Sequence, residues 1–375
     1  MLKEVILFDA EPFCFGPIST TINLVNFLRD KTNICDKFDL VLLGVGTSKQ
    51  LAEASKVFDR IYDCNSTLTT ELEKFSKIIS KAALYISTTN PHSVNFLKNF
   101  KTNLYYIDTL FWMWGELRAD FRHVDRYFIQ RFFNIDKQLA IYREHINCFQ
   151  VVNPLISHKL HKKIEEKFIL INLGGMDTVY HKTSKFYRIF VEEMYNNYKL
   201  QGTDIVIAGG GNSIKELKSL YSNRKSLIID CFGKSEFEDL FTKCIKFISA
   251  PGLTSINESY YIAKDVLFLP PQNYSQYLNL KYLRYNVAAV KSISYEDLFN
   301  VEEIQEYLPE EDGIVLIKRL SERLINDSIA MRQLFITIEE FIEAPKNKFD
   351  LPPEVTFSCS GVKYIGKEIC KNLRC

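Results

Sequence analysis

Residues 247–279, FISAPGLTSINESYYIAKDVLFLPPQNYSQYLN, decide the fold of this chain. The apolar run Ile245–Ser249 predicts a buried strand, and Gly252 ends that strand in a turn. A helix that begins near Thr254 follows the turn, and Val266–Leu269 predicts a second strand. A strand, a helix and a strand in this order are typical of a parallel α/β sheet.

The turn at Gly252 offers a binding site for an anion. The first N–H groups of a helix have no acceptor within it, and the helix dipole adds partial positive charge there. Because glycine has no Cβ, a phosphate can approach the backbone closely. Glu258, in the first turns of the same helix, offers a carboxylate to a ribose diol, and Gln272 and Gln276 offer amides to the hydroxyls of a sugar. Together these groups favour a nucleotide sugar as the ligand.

This pattern resembles the donor-binding motif of nucleotide-sugar glycosyltransferases with the glycosyltransferase B fold. It is most similar to the motif of the bacterial lipid II UDP-GlcNAc transferase and its UDP-glycosyltransferase relatives. The likeness is good over this stretch and thin in the rest of the chain. The residues that carry it are Gly252, Thr254, Ser255, Glu258, the proline after the second strand, Tyr274, Gln276 and Asn279.

The resemblance implies an α/β protein with two Rossmann-like domains that face a cleft, the donor being bound by the C-terminal domain. In that family, glycine turns after several strands approach the donor's phosphates, and the loop after another strand contacts the nucleobase. The donor-binding residues implied for this chain are Gly174, Gly175, Gly209, Gly210, Phe232, Gly233, Pro251, Gly252, Leu253, Thr254, Ser255, Glu258, Gln272, Tyr274 and Gln276.

The residues of the first strand and its turn do not identify a single general base. In the resembling family this turn is rich in glycine and is followed by a histidine, whereas this chain has Gly16 and no histidine nearby. Asp9 and Glu11 are the carboxylates of the turn, and either could take a proton from an acceptor hydroxyl. Both are equally consistent with solvated loop carboxylates. His92, in a small polar loop after a later strand, is the third candidate.

The acceptor is expected to contact the N-terminal domain. Phe15 and Gly16 lie in the acceptor-side turn, and Asp108 follows another predicted strand. Trp112 and Trp114 are the only tryptophans of the chain. They could stack on a sugar or on an apolar acceptor, or they could instead fill a domain interface.

The order of strands and helices restarts after a charged stretch, which predicts a domain boundary. We expect an N-terminal domain over residues 1–155 and a C-terminal domain over residues 165–345. A tail over residues 346–375 is expected to return to the N-terminal domain. Within the first domain, the last strand region is predicted over Ala140–Phe149. The pattern of Arg118–Phe133 predicts neither a helix nor a strand.

Composition limits the function classes. The net charge of +1 over 375 residues gives no reason to expect a nucleic-acid partner. Nine scattered cysteines are typical of a reducing cytosol, so a cytoplasmic location is expected. The sequence contains no apolar run of about 18 residues that would span a membrane, although peripheral membrane contact stays open. It shows no D-x-D motif or ligand cluster, so neither a metal ion nor another cofactor is expected. A monomer and a homodimer are both possible.

The resemblance implies a glycosyltransferase that moves a sugar, with UDP-hexose as the expected donor, to an acceptor hydroxyl or amine. It implies a metal-independent reaction that inverts the anomeric centre. Two alternatives use the same donor site. One is a nucleotide-sugar hydrolase or 2-epimerase, and the other is a non-catalytic nucleotide-sugar-binding subunit. An NAD enzyme is disfavoured because no complete G-x-G-x-x-G follows a strand.

Overall fold

The computed structural model of the chain describes residues 3–176, 185–197, 204–222, 226–345 and 360–375. The chain forms two compact units. The first unit comprises Met1–Leu160 and Phe357–Cys375, and the second comprises His161–Thr356. Each unit is built on its own parallel sheet.

The first unit contains a seven-stranded parallel sheet in the order β3-β2-β1-β4-β5-β6-β7. The direction of chain progress reverses between β1 and β4, and ligands of open α/β sheets bind at such a reversal, beside the carboxyl ends of the strands. At this point Asp9 pairs with Ser87, and Ala10 with Thr88. The strands are β1 Glu4–Ala10, β2 Phe38–Gly44, β3 Arg60–Asp63, β4 Leu84–Thr88, β5 Leu104–Asp108, β6 Arg126–Gln130 and β7 Phe149–Val152.

Helices cover the first sheet, so its inner strands β1, β2, β4 and β5 are buried along most of their length. The predicted strand over Ala140–Phe149 is wrong: residues up to Tyr142 are helical, since Ile135 and Gln138, one helical turn apart, are both buried. Strand β6 lies within the stretch Arg118–Phe133, to which the sequence assigned no element. The helices are α1 Gly16–Lys31, α2 Ile34–Lys37, α3 Gly46–Ser55, α4 Thr69–Glu73, α5 Ser76–Ile79, α6 Pro91–Leu97 and α7 Ile135–Tyr142.

The second unit contains a five-stranded parallel sheet in the order β10-β9-β8-β11-β12. Its topology repeats that of the first five strands of the other sheet. The reversal point lies between β8 and β11, where Asn172 pairs with Ser249. The strands are β8 Glu166–Asn172, β9 Asp204–Ala208, β10 Leu227–Asp230, β11 Cys244–Ser249 and β12 Val266–Phe268.

The helices of the second unit alternate with its strands and then continue beyond the sheet. The predicted turn residues Asp177 and Thr178 lie outside the described residues. Helix α12 begins shortly after Gln272 and contains Gln276. The helices are α8 Phe186–Asn197, α9 Gly211–Leu220, α10 Lys234–Lys243, α11 Leu253–Tyr261, α12 Tyr274–Asn286, α13 Tyr295–Leu298, α14 Glu310–Asn326 and α15 Ser328–Glu343.

The described end of the chain is helix α16, Gly361–Leu373, which packs in the first unit against α1. The packing is close, since a Cβ added at Gly366 would lie 2.5 Å from the Phe27 ring. Residues 346–359 of the predicted tail lie outside the described residues. Among the residues that the structure describes, no helix is both long and apolar enough to cross a membrane.

Candidate functional site

The start of helix α11 presents its first N–H groups at the reversal point of the second sheet. Gly252 is the N-cap residue and has no side chain that could accept a hydrogen bond from the helix. The first N–H groups of the helix therefore lack an acceptor from the helix and its cap. A Cβ added at Gly252 would meet no described atom within 4 Å, so there is open space beside this N-cap residue. Thr254 and Ser255, in the first turn, are partly exposed, whereas Pro251 and Leu253 are buried.

Asn172 ties this helix start to the neighbouring strands. Its Nδ2 donates to Ser249 Oγ at 3.2 Å and to Ser255 Oγ at 3.0 Å. Its Oδ1 accepts from the Gly174 N–H at 3.1 Å. One amide at the end of β8 thus fixes the end of β11, the first turn of α11 and the turn after β8. The sequence analysis missed Asn172, although a polar residue between a buried strand and a glycine pair was the available signal.

The glycine turns after β8 and β9 lie next to each other. Gly174 has φ +72°, a left-handed conformation that glycine adopts without strain. Its carbonyl accepts from the Gly210 N–H at 3.0 Å. Gly175 and Gly209 are buried beside these residues. The structure therefore brings the predicted glycines of both turns together with the start of α11.

Glu258 lies in the second turn of α11, as predicted, but it is paired and buried. Its Oε1 lies 2.5 Å from Lys234 Nζ, and its side chain is 2% exposed. A ribose diol therefore reaches this carboxylate only if the surrounding segment opens. Lys234 is the first residue of α10, immediately after Gly233, and Phe232 is half-buried just before it. Lys234 could not be predicted as the partner of Glu258, since no local sequence pattern connects residues so far apart in the chain.

Three residues predicted to contact the donor sugar have internal roles in this structure. Tyr274 is buried and donates its hydroxyl to the Gln305 carbonyl at 2.8 Å, so it faces the interior of the unit. Gln276 Oε1 accepts from the Gln272 N–H at 2.9 Å. The Gln272 side chain donates to the carbonyls of the two prolines before it. Asn279 Nδ2 donates to the Pro251 carbonyl at 3.0 Å and so supports the turn before α11.

In the first unit, Asp9 lies inside a buried polar network. Its Oδ2 accepts from Tyr85 Oη at 3.1 Å and from Asn90 Nδ2 at 3.0 Å. Burial raises the pKa of Asp9 to about 6, although nearby side-chain hydroxyls oppose the rise. Because Asp9 is fully buried, it is not placed to take a proton from a bound substrate in this structure.

Glu11 and His92 surround an arginine that the sequence left unassigned. Arg118 Nη2 lies 3.6 Å from Glu11 Oε1, and Glu11 is buried. The His92 side chain is exposed at the start of α6. Partial desolvation of its ring at the protein surface, followed by the positive charge of Arg118, lowers the pKa of His92. A neutral imidazole at the carboxyl edge of the sheet is suited to accept a proton.

The predicted acceptor residues are mostly buried. Asp108 Oδ2 accepts from Tyr127 Oη at 2.6 Å and from Trp114 Nε1 at 3.3 Å, and burial raises the pKa of Asp108. The Trp114 ring lies 4.8 Å below the Arg118 guanidinium. Trp112 is fully buried against Phe132, so it is unavailable for stacking on a ligand.

The acceptor-side turn keeps some exposed surface. Gly16 is exposed at the first position of α1, and Phe15 is its half-buried N-cap residue. Among the described residues, no group of three or more His, Cys, Asp or Glu side chains is arranged to hold a metal ion.

The whole chain is similar to solved structures of nucleotide-sugar proteins. UDP-GlcNAc 2-epimerase of Methanocaldococcus jannaschii, in complex with UDP-GlcNAc and UDP, matches with a TM-score of 0.53 and 14% identity, over 100% of this chain and 99% of that one. UGT89C1 of Arabidopsis thaliana matches in its UDP complex with a TM-score of 0.52 and 11% identity, over 98% of this chain and 100% of that one.

The same plant protein complexed with quercetin gives a TM-score of 0.51 and 11% identity, over 98% of this chain and 100% of that one. No protein-family model and no curated protein sequence matches the chain. The structural likeness extends over the full length, and both sheets have the expected parallel topology. The chain therefore has the glycosyltransferase B fold, an α/β architecture of two Rossmann-like domains.

Proposed function

We propose that this protein is a glycosyltransferase that uses a nucleoside diphosphate sugar, with UDP-hexose as the donor. The observation that carries the proposal is the uncapped start of α11, which Asn172 holds next to the Gly174 turn. Backbone N–H groups at a helix start, beside a glycine whose Cβ position is open, suit a diphosphate. The fold is one that the UDP complexes of two other proteins share.

The second unit would stabilise the leaving group. As the bond between the anomeric carbon and the diphosphate breaks, its electron pair leaves on the diphosphate oxygen. The N–H groups of Leu253, Thr254 and Ser255 face the charge that develops there, and such interactions are strongest in the transition state. The helix start supplies this stabilisation without a metal ion. An acceptor oxygen or nitrogen forms the new bond from the opposite side, which inverts the anomeric centre.

We infer that His92, among the three predicted candidates, is the general base. It is exposed, whereas Asp9 is fully buried and Glu11 is mostly buried beside Arg118. Its lowered pKa keeps the imidazole neutral at physiological pH, so it can take the proton that the acceptor loses.

A thermal-shift panel of nucleotide sugars tests the proposal. A ligand that binds only the folded state stabilises it by an amount that grows with the logarithm of its saturation. UDP-hexoses should raise the melting temperature, and NAD should not. Stabilisation by NAD and not by UDP-hexoses would end the proposal.

Two variants locate the site. Glu258→Ala should remove most of the UDP-hexose shift. Because this change leaves Lys234 buried without its main partner, calorimetric titration with UDP at low temperature should accompany the melt. Gly252→Ala changes no ion pair and should weaken the same binding.

Turnover assays with the same nucleotide sugars then distinguish transfer from the alternative functions of this donor site. UDP release that depends on an added acceptor supports transfer. UDP release without an acceptor indicates hydrolysis, and conversion of the sugar without net UDP release indicates 2-epimerisation. Binding without any turnover under all conditions indicates a nucleotide-sugar-binding subunit.

A further inference from the structure

Lys234 and Glu258 form a buried ion pair between two helices of the second unit. Lys234 begins α10, and Glu258 lies in the second turn of α11. The atoms Nζ and Oε1 are 2.5 Å apart, and the two side chains are 4% and 2% exposed. Glu238, one turn after Lys234, places a second carboxylate 3.5 Å from the same ammonium.

The pair fixes the direction of the Glu258 carboxylate. Burial works to lower the pKa of Lys234, but Glu258 and then Glu238 outweigh it, so its pKa is raised. Lys234 therefore stays charged, and its ammonium at Oε1 limits the rotation of the Glu258 carboxylate.

We propose that Lys234 is a positioning residue for the nucleotide's ribose: when the segment around the pair opens to admit the nucleotide, Lys234 holds Glu258 as an oriented acceptor for the 2′- and 3′-hydroxyls. The site thereby selects ribonucleotides over nucleotides that lack these hydroxyls. This inference rests on the proposed function, because it requires the nucleotide to bind at the start of α11. Lys234 itself need not contact the ligand, and its effect on binding passes through Glu258.

A second buried ion pair in the same unit provides a matched control. Lys246 Nζ lies 2.7 Å from Asp265 Oδ2, with side chains 5% and 3% exposed. Lys246 is in β11, and Asp265 immediately precedes β12, so this pair lies toward the amino end of the strands. Loss of either lysine removes one buried cation, but only the loss of Lys234 should alter recognition of the ribose.

The experiment compares UDP with 2′,3′-dideoxy-UDP by calorimetric titration. The unaltered protein should bind UDP at least about tenfold more tightly, since hydrogen bonds to a charged group are strong. Lys234→Met should reduce this ratio to nearly one, mainly by weakening UDP binding. Lys234→Arg should keep most of the ratio, and Lys246→Met should keep all of it while lowering the melting temperature.

Other outcomes overturn the inference in distinguishable ways. A ratio unchanged in folded Lys234→Met shows that the pair is structural only. Equal binding of both nucleotides by the unaltered protein refutes the ribose contact while leaving diphosphate binding intact. Absence of UDP binding by the unaltered protein refutes the proposed function itself. If Lys234→Met does not fold, the experiment uses Lys234→Gln, which keeps a hydrogen-bond donor without the charge. An unchanged ratio of the two affinities in that variant would likewise show that the pair is structural only.

Discussion

Replacement of Gly252 by alanine should separate ligand binding from stability. Gly252 has φ −72° and ψ 140°, which alanine adopts without strain. The added Cβ would have no atom within 4 Å in the structure. In the proposed complex, however, this is the space that the diphosphate occupies against the first N–H groups of α11.

The expected change in stability is small because two effects oppose each other. Alanine restricts the unfolded chain and so stabilises by about 0.4 to 1 kcal/mol, whereas glycine is the better N-cap residue by a similar amount. The free energy of unfolding should thus change by less than about 0.5 kcal/mol. The dissociation constant for UDP should rise at least about tenfold, which corresponds to about 1.4 kcal/mol of binding free energy.

The assay is calorimetric titration with UDP, together with urea unfolding followed by far-ultraviolet circular dichroism. Gly16→Ala is the matched control, because Gly16 also begins a helix and a Cβ there would also meet no atom within 4 Å. It lies in the first unit and should leave UDP binding unchanged. A dissociation constant for Gly252→Ala within about twofold of the unaltered protein would refute the placement of the diphosphate at this helix start.

Three further predictions concern Asn172, His92 and Asp9. Asn172→Ala removes three side-chain hydrogen bonds. It should lower the free energy of unfolding by about 1 to 3 kcal/mol and also weaken UDP binding. The control Asn23→Ala loses a hydrogen bond to the Leu155 carbonyl and should lower stability without changing UDP binding. His92→Gln should lower the turnover rate by about 10² to 10⁴ with UDP affinity unchanged, and unaltered turnover would exclude His92 as the base. The stability of the first unit should fall by up to roughly 3 kcal/mol as the pH rises from about 4 to about 6, because the raised pKa of Asp9 makes its ionisation oppose folding. Tryptophan fluorescence reports this unit, since both tryptophans lie in it, and Asp9→Asn should flatten the dependence.

The sequence predicted the fold well where local patterns decide it. Apolar runs that end at glycine or small polar residues gave the parallel strands of both sheets, because buried strands are short and continuous in this class. The stretch Ala140–Phe149 failed because short apolar segments fit a helix and a strand equally well. Its first part continues helix α7, whose earlier residues Ile135 and Gln138 are buried.

The candidate site was predictable only as far as backbone features define it. The glycine turns and the start of α11 follow from residue order, and the structure brings them together around Asn172. Side-chain roles were less predictable, since they depend on partners from distant segments. Tyr274 matched a motif by spacing yet is directed inward to Gln305, and Glu258 is paired with Lys234.

These differences share one physical cause. The direction of a backbone N–H group at a helix start is set by the helix and does not depend on the surrounding side chains. The direction of a buried carboxylate depends on the cation that pairs with it. The proposed anion site therefore depends on the helix itself, and its recognition of the ribose depends on Lys234. Substitution at Gly252 tests the first dependence and substitution at Lys234 tests the second, so the two parts of the proposed donor site can fail independently.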